Sequence, residues 1–184
     1  ILTLLIYFYI LNIESLNTYV LILLIAIFIG ILDDFKKINF LLKLLLLFIL
    51  TFFIIYMKLE NLHIIYFFIF FLFIFHFINI FNFMDGTDGT ALSQSIFFLV
   101  SILVLRQSIY LNDINLIVLI IFFLILLYFN FPDSQLFIGN IGSYSFSTLI
   151  IMFAFENNIS LENLLNFVII FLFFYLDTSV TLMK

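Results

Sequence analysis

Eight apolar runs, separated by short polar breaks, make up most of the chain. A helix needs about 20 apolar residues to cross the hydrocarbon core of a bilayer. Inside a bilayer each run must satisfy its own backbone hydrogen bonds, which favours helices, and the runs lack the alternation of a barrel strand. The runs cover residues 1–11, 18–32, 40–57, 64–83, 90–110, 116–131, 143–155 and 164–182. The pattern predicts an all-α, polytopic membrane helix bundle with about eight transmembrane segments.

Composition supports a lipid-facing protein and excludes several other classes. Of the 184 residues, 67% are hydrophobic and 9% are charged, whereas a soluble domain is about half apolar and about a quarter charged. The net charge of −5 leaves no basic patch for nucleic acid. The absence of cysteine excludes a disulfide framework and a thiolate metal site. Because the chain begins and ends abruptly beside apolar runs, we expect residues 1–184 to be a single transmembrane domain from a longer protein.

The polar breaks fall alternately on the two sides of the predicted bundle. If the break at 33–39 faces one side, the breaks at 84–89, 130–142 and 177–184 face the same side. These are the breaks that contain paired acids, amides and glycines, and their side carries four of the six basic residues. Because basic residues favour the cytoplasmic side of a membrane protein, we predict that this polar face is cytoplasmic.

Two adjacent carboxylates, Asp33 and Asp34, lie at the end of the second run. Like charges at a helix C-terminus repel each other and oppose the helix dipole, so a cation should lie close to them. The nearby lysines, among them Lys43, are candidates, and a bound divalent cation is another. A solvated pair at the membrane boundary is the alternative.

The segment "NIFNFMDGTDG" places four polar side chains at helical spacing. Asn79 and Asn82 are one turn apart, and Asp85 and Asp88 continue the same spacing with glycines between them. Polar groups at membrane depth are costly and are usually functional. An ordinary interfacial turn, with Asp88 capping the next helix, would account for one of the four. Oxygen ligands without Cys or His suit Mg²⁺, which carboxylates and substrate phosphates commonly hold together.

The third polar break, "FNFPDSQLFIGNIGS", adds an amide, an aromatic ring and a glycine turn. Asn130 begins it, and Phe137 offers a ring for stacking on a base. The turn from Gly139 through Asn140 to the next Gly-Ser opens a helix, and free N–H groups at a helix N-terminus bind anions. Residue types alone therefore indicate an enzyme that joins a water-soluble phosphate compound to a membrane lipid.

In the order "GILDDFKK", "NIFNFMDGTDGTA", "FNFPDSQLFIGNIGS" and "LDTSVTL", the chain resembles the polyprenyl-phosphate sugar-1-phosphate transferases of glycosyl transferase family 4. This group includes phospho-N-acetylmuramoyl-pentapeptide transferase and the enzymes that start O-antigen and teichoic acid synthesis. The resemblance runs from about Gly30 to the C-terminus. It implies Mg²⁺-dependent transfer of a sugar-1-phosphate, with an N-acetylhexosamine as the favoured sugar, from a UDP-sugar to a polyprenyl phosphate such as undecaprenyl phosphate. It also implies the bacterial inner membrane as the location, and a second copy of the chain as a candidate partner.

The resemblance also assigns roles to individual residues. It makes Asp33, Asp34 and Asp85 catalytic, with the first two activating or orienting the lipid phosphate. It places Asp85 and Asn140 as metal ligands. The substrate-binding residues that it implies are Lys43, Asn79, Asn82, Asp88, Asn130, Phe137 and Gly139. Among these, Asn82 would lie near the diphosphate, Asp88 near uracil, and Phe137 against the base.

The chain departs from the family pattern at two points. The usual Gly-Asp-X-Gly-Ser is "GNIGS", so Asn140 replaces the carboxylate expected to bind Mg²⁺. The His-containing cytoplasmic loop of the family would follow Lys184, where this sequence ends.

Three other interpretations stay open at the level of sequence. A catalytically degenerate member would bind substrate without turning it over. A cation or proton transporter would place ionisable groups at the middle of the bilayer, in broken helices. Other membrane phosphotransferases and prenyltransferases carry paired Asp motifs as well, but with different spacings and neighbours.

Overall fold

The computed structural model describes residues 16–36, 38–58, 64–86, 89–105, 111–132, 137–155 and 161–182. Within these ranges the chain is helical and contains no strand. The helices, numbered here in chain order, are α1 (Leu16–Lys36), α2 (Phe40–Lys58), α3 (Ile64–Met84), α4 (Thr90–Leu105), α5 (Leu111–Asn130), α6 (Gly139–Ala154) and α7 (Leu161–Leu182). The run predicted at 1–11 lies outside the described residues.

Each predicted run from 18–32 onward corresponds to one helix, which confirms the all-α class. Helices differ from the predicted runs mainly at their starts: α5 begins at Leu111 although its run begins at residue 116, and α6 begins at Gly139 although its run begins at residue 143. The first turn of α6 therefore has the sequence Gly-Asn-Ile-Gly, in which Ile141 is the one large apolar residue. This addition lengthens a run that is short for a helix, and it makes the glycine turn part of the helix.

The prediction of eight transmembrane segments is not confirmed. Among the described helices, one segment, Ile65–Met84, is both long and apolar enough to cross a membrane, with 20 residues and a mean hydropathy of 2.1. Other apolar helices, such as Phe40–Tyr56 and Thr90–Val104, are shorter. At 1.5 Å per residue, a helix of 16 residues such as α6 spans roughly 24 Å, less than the roughly 30 Å of a bilayer core.

Helix α6 forms the centre of the described bundle. Its residues from Gly142 to Phe153 are all buried, and it packs most extensively against α1 and next against α3. The contact with α1 depends on Gly30, because a Cβ added there would collide with the backbone of Ile141 and lie 2.9 Å from the carbonyl oxygen of Asn140. The two backbones therefore touch directly, and this brings the end of α1 beside the start of α6.

The outer surface of the bundle is strongly apolar. Large hydrophobic side chains such as Phe35, Leu41, Val104 and Tyr128 are at least three-quarters exposed. The interior, by contrast, holds hydroxyl groups, and that of Ser147 donates to the Ser143 carbonyl one turn earlier in α6. Soluble monomers rarely expose large contiguous apolar patches, so this surface suits a lipid environment.

Candidate active site

Polar side chains from four helices meet at one end of the bundle. They come from the end of α1, the start of α2, the end of α3 and the start of α6. Hydrogen bonds join Asp34 to Asn140 and Lys43 to Asn82, and the N–H of Gly89 donates to the Asn130 side chain. The breaks at 33–39, 84–89 and 130–142 therefore share one face, as the parity of the runs predicted.

Asp33 is the inner member of the aspartate pair, with 9% of its surface exposed. Its Oδ2 lies 2.9 Å from Lys43 Nζ, and the hydroxyl of Tyr144 donates to the same oxygen over 3.0 Å. The Lys43 ammonium also lies 5.6 Å from the centroid of the Tyr144 ring, within the range of a cation–π contact. Lys43 is therefore the cation that the aspartate pair requires, and Asp33 is not a solvated boundary residue.

Sequence reasoning missed Tyr144, although its side chain is fully buried against two of the predicted site residues. It follows Asn140 by four residues, which places it on the same face of α6. That spacing is the signal by which it could have been found. The surrounding "SYSFST" carries no charge, and its tyrosine is one of nine in the chain.

Asp34 is the outer carboxylate and is exposed. Its Oδ1 accepts hydrogen bonds from the backbone N–H and the side-chain amide of Asn140, at 3.2 and 2.8 Å, and its Oδ2 accepts from the N–H of Ile141 at 3.3 Å. Negative charge at a helix N-terminus is stabilised by the free N–H groups and by the helix dipole. Asp34 thus lies directly on the start of α6.

Asp85 approaches the same helix end from the turn after α3. The pKa of Asp85 is raised to about 6. Burial is the main cause, a backbone hydrogen bond from Gly139 opposes it, and the charge of Asp34 adds to it. Gly139 adopts φ +68°, a left-handed conformation that favours glycine, and a Cβ there would lie 3.4 Å from Asp34 Oδ2. The anion-binding N–H groups predicted for this turn therefore face two carboxylates of the chain itself.

Two amides connect the lysine to the outer carboxylate. Lys43 Nζ donates to Asn82 Oδ1 over 3.0 Å, and Asn82 Nδ2 donates to Asn140 Oδ1 over 2.6 Å. Asn82 Nδ2 also lies 2.7 Å from the Ser143 hydroxyl oxygen. Asn82, predicted from sequence, is therefore the residue of α3 that joins α2 to α6.

The remaining predicted residues lie outside this network of contacts. Asn130 is buried, and its Oδ1 accepts the N–H of Gly89 over 2.7 Å, so it holds the turn that follows Asp85. Phe137 is 70% exposed just before α6, and Asn79 is half-buried one turn before Asn82. Asp88 lies outside the described residues.

The donor set of the site fits a hard divalent cation. Among the described residues, no group of three or more His, Cys, Asp or Glu side chains could hold a metal. Mg²⁺ is, however, commonly held by one or two carboxylates together with substrate phosphates, and Asp34 and Asp85 both reach the N-terminus of α6. The amide oxygen of Asn140 accepts a hydrogen bond from Asn82, so it would have to leave that contact in order to bind a metal.

Comparison with known proteins supports the resemblance seen in the motifs. The family model described as glycosyl transferase family 4 matches residues 16–158, a range that contains every contact of the site. No curated protein matches the chain significantly. Membership of this family implies a nucleotide-sugar donor, a lipid-phosphate acceptor in a membrane, and a general dependence on metal. The chain belongs to glycosyl transferase family 4, and it is a membrane-associated transferase of sugar phosphate to polyprenyl phosphate.

Proposed function

We propose that the protein transfers an N-acetylhexosamine-1-phosphate from a UDP-sugar to undecaprenyl or another polyprenyl phosphate, releasing UMP. The reaction takes place at the cytoplasmic face of the bacterial inner membrane, as a starting step in the synthesis of cell-envelope polysaccharide or peptidoglycan. One observation carries the proposal: Asp34 and Asp85 share the N-terminus of α6 beside the Lys43 ammonium, at the end of a bundle with an apolar outer surface.

The overall reaction exchanges one bond to phosphorus for another. A phosphate oxygen of the lipid becomes bonded to the β-phosphorus of the UDP-sugar, and the bond from that phosphorus to the bridging oxygen breaks. The electron pair of the broken bond leaves with UMP. Mg²⁺, when bound, offsets the negative charge on the diphosphate and on the leaving group. Asp34 and Asp85 are the residues placed to hold it, and Asn140 could add its amide oxygen only by releasing Asn82.

The two adjacent aspartates have different surroundings, which suggests different tasks. Asp33 is buried and engaged by Lys43 and Tyr144, so its effect on the lipid phosphate would pass through the position of the Lys43 ammonium. Asp34 is exposed at the helix end, where it can face the lipid phosphate directly. Lys43 also donates to Asn82, and its ammonium would be a cationic donor to an incoming phosphate oxygen.

The nucleotide would lie on the side of the site formed by the turns after α3 and before α6. Phe137 presents an exposed ring that is suited to stacking on uracil. Asn130 holds Gly89, which follows Asp88, the proposed uracil contact, in the sequence. We retain Asn79 and Gly139 as proposed substrate contacts.

A degenerate, substrate-binding member is the second candidate, and Asn140 is the observation that favours it. An amide at this position contributes no negative charge to a cation, and its oxygen already accepts a hydrogen bond. Such a protein would bind the UDP-sugar and the lipid phosphate without releasing UMP. The transporter interpretation loses support, because the acids with described side chains lie at one end of the bundle rather than midway along the helices.

The first test uses the full-length gene product in membranes with UDP-N-acetylhexosamines, undecaprenyl phosphate and Mg²⁺, and measures UMP release. Asp85→Asn is the matched control, since it removes one charge and keeps the shape. Lipid-dependent release that the variant loses supports the transferase. If the natural protein is inactive and Asn140→Asp gains release, the degenerate member is correct. The homodimer stays a prediction, which sedimentation of the detergent-solubilised protein tests.

A further inference from the structure

Four side chains from four helices form a hydrogen-bond chain whose direction is fixed at both ends. Lys43 donates to Asn82 over 3.0 Å, Asn82 donates to Asn140 over 2.6 Å, and Asn140 donates to Asp34 over 2.8 Å. An ammonium can only donate and a carboxylate can only accept, whereas each amide has one donor group and one acceptor group. We call this chain of contacts the amide relay.

The two inner positions of the relay each require a group that accepts on one side and donates on the other. A carboxylate at position 140 would still accept from Asn82. Toward Asp34, however, it would present a second negative oxygen in place of the amide N–H that now lies 2.8 Å away. Like charges at this distance repel each other strongly unless a cation separates them. The amide of Asn140 therefore performs in this chain the joining role that a cation would perform between two acids.

The amide relay connects four different helices, so its contacts fix how the ends of those helices are arranged around the site. The members lie near the end of α1 (Asp34), near the start of α2 (Lys43), near the end of α3 (Asn82) and near the start of α6 (Asn140). The second hydrogen-bonding partner of the Asn82 amide nitrogen, the Ser143 hydroxyl, belongs to the same turn of α6. Once these contacts form, hydrogen bonds join Asp34 to the N-terminus of α6 with no cation between them.

We infer that Asn140 is a positioning residue, which holds Asp34 against α6 through the amide relay and makes the assembly of the site independent of a bound cation. Asp34 and Asp85 then remain available to a cation that arrives with the substrate. The inference deepens the proposed function and rests on it for the role of Asp34, although the assembly of the site can be measured without turnover.

The test measures thermal unfolding of the full-length protein in detergent, with excess EDTA or with millimolar MgCl₂. In EDTA we expect Asn140→Asp to lower the Tm by on the order of 5 °C, the size of shift that a lost charged hydrogen bond produces in a chain of this length. MgCl₂ should restore most of that loss. The natural protein should keep its Tm in EDTA to within about a third of that shift.

A double variant that exchanges the carboxylate and the amide of positions 34 and 140 distinguishes the loss of the amide relay from a general loss of stability. In the double variant Asp34→Asn with Asn140→Asp, the new amide at position 34 can donate to the new carboxylate at position 140, so the Tm in EDTA should recover. Asn79→Asp makes the same chemical change one turn from Asn82 and outside the relay, so Mg²⁺ should not rescue its stability.

Either of two results would overturn the inference. Asn140→Asp as stable as the natural protein in EDTA would mean that the relay does not hold the site together. A natural protein that loses as much stability in EDTA as the variant would show that assembly of the site depends on a bound cation. Because neither result depends on UMP release, failure of the proposed transferase activity would be recognised separately.

Discussion

Replacement of Gly30 by alanine tests whether the close approach of α1 and α6 builds the site. A methyl group at this position would collide with the Cα of Ile141 and lie 2.7 Å from its backbone nitrogen and 2.9 Å from the Asn140 oxygen, closer than real Cβ atoms approach. These are backbone atoms of a buried helix, so they cannot turn aside. The two helices must separate, and the contacts of Asp34 with Asn140 and Ile141 must lengthen with them.

The expected loss of stability follows from two opposing effects. Overpacking against a rigid neighbour costs about 3 kcal/mol, at the upper end of the usual range. Alanine recovers about 1 kcal/mol over glycine in helix propensity. The net loss is about 2 kcal/mol, which corresponds to a decrease in Tm of roughly 4–8 °C. Activity should fall further, because a displacement of about 1 Å at a catalytic group can cost on the order of 100-fold in rate.

The assay combines thermal unfolding with UMP release. The chain has no tryptophan, so circular dichroism of the helices is a suitable probe of unfolding. Gly86→Ala is the matched control for stability, because among the described residues a Cβ there would meet only the Phe83 oxygen, at an ordinary contact distance of 3.4 Å. A Gly30→Ala protein with an unchanged Tm and unchanged UMP release would refute the reasoning.

Three further predictions concern single side chains. Tyr144→Phe removes the hydroxyl that donates to Asp33. The loss of about 1–2 kcal/mol of a buried hydrogen bond should lower the Tm by roughly 2–8 °C and should also reduce kcat. An unchanged Tm and kcat would contradict the role given to this contact. For Asp85, burial raises the folded-state pKa from 3.8 to about 6, so the metal-free protein should lose stability as the pH rises from about 4 to 6. Asp85→Asn should flatten that profile and stabilise the protein in EDTA at pH 7 by no more than about 2 kcal/mol, after allowance for partial exposure, while UMP release is lost. If the variant keeps the pH profile of the natural protein's Tm, Asp85 does not carry a buried charge. Phe137→Ala should raise the KM for the UDP-sugar about tenfold through lost stacking. Its Tm should not change, since the ring is 70% exposed. If the Ala variant and a Tyr variant have equal KM values, Phe137 does not stack on the base.

The helices and the shared polar face were predictable because they depend on local pattern. Apolar runs set the helices, and the alternation of direction from one run to the next placed Asp34, Asn82 and Asn140 at the same end. The prediction of eight spans went further than the pattern allowed. The end of an apolar run does not fix how much of the adjoining polar sequence a helix includes, as the start of α6 at Gly139 illustrates.

The pairing of side chains within the face was not predictable, because it depends on contacts distant in sequence. Asp33 and Asp34 are neighbours of the same type, yet one binds Lys43 and Tyr144 and the other binds the first turn of α6. Neighbouring residues of a helix point in different directions, and which of the two aspartates meets the start of α6 depends on how α1 packs against α6 at Gly30. Tyr144 was missed because it is one of many aromatic residues in the chain, and its contact with Asp33 joins residues that are distant in sequence.

The carboxylates at the start of α6 have a consequence for which anions the site admits. The N–H groups of Gly139, Asn140 and Ile141 are the donors that a phosphate would otherwise seek, and they already face Asp85 and Asp34. A free phosphate or uncomplexed nucleotide therefore meets repulsion where most helix N-termini offer attraction. A diphosphate that carries its own divalent cation brings the positive charge that both carboxylates lack. The first selection at this site is thus made on the net charge of the arriving complex, before any base or sugar is recognised.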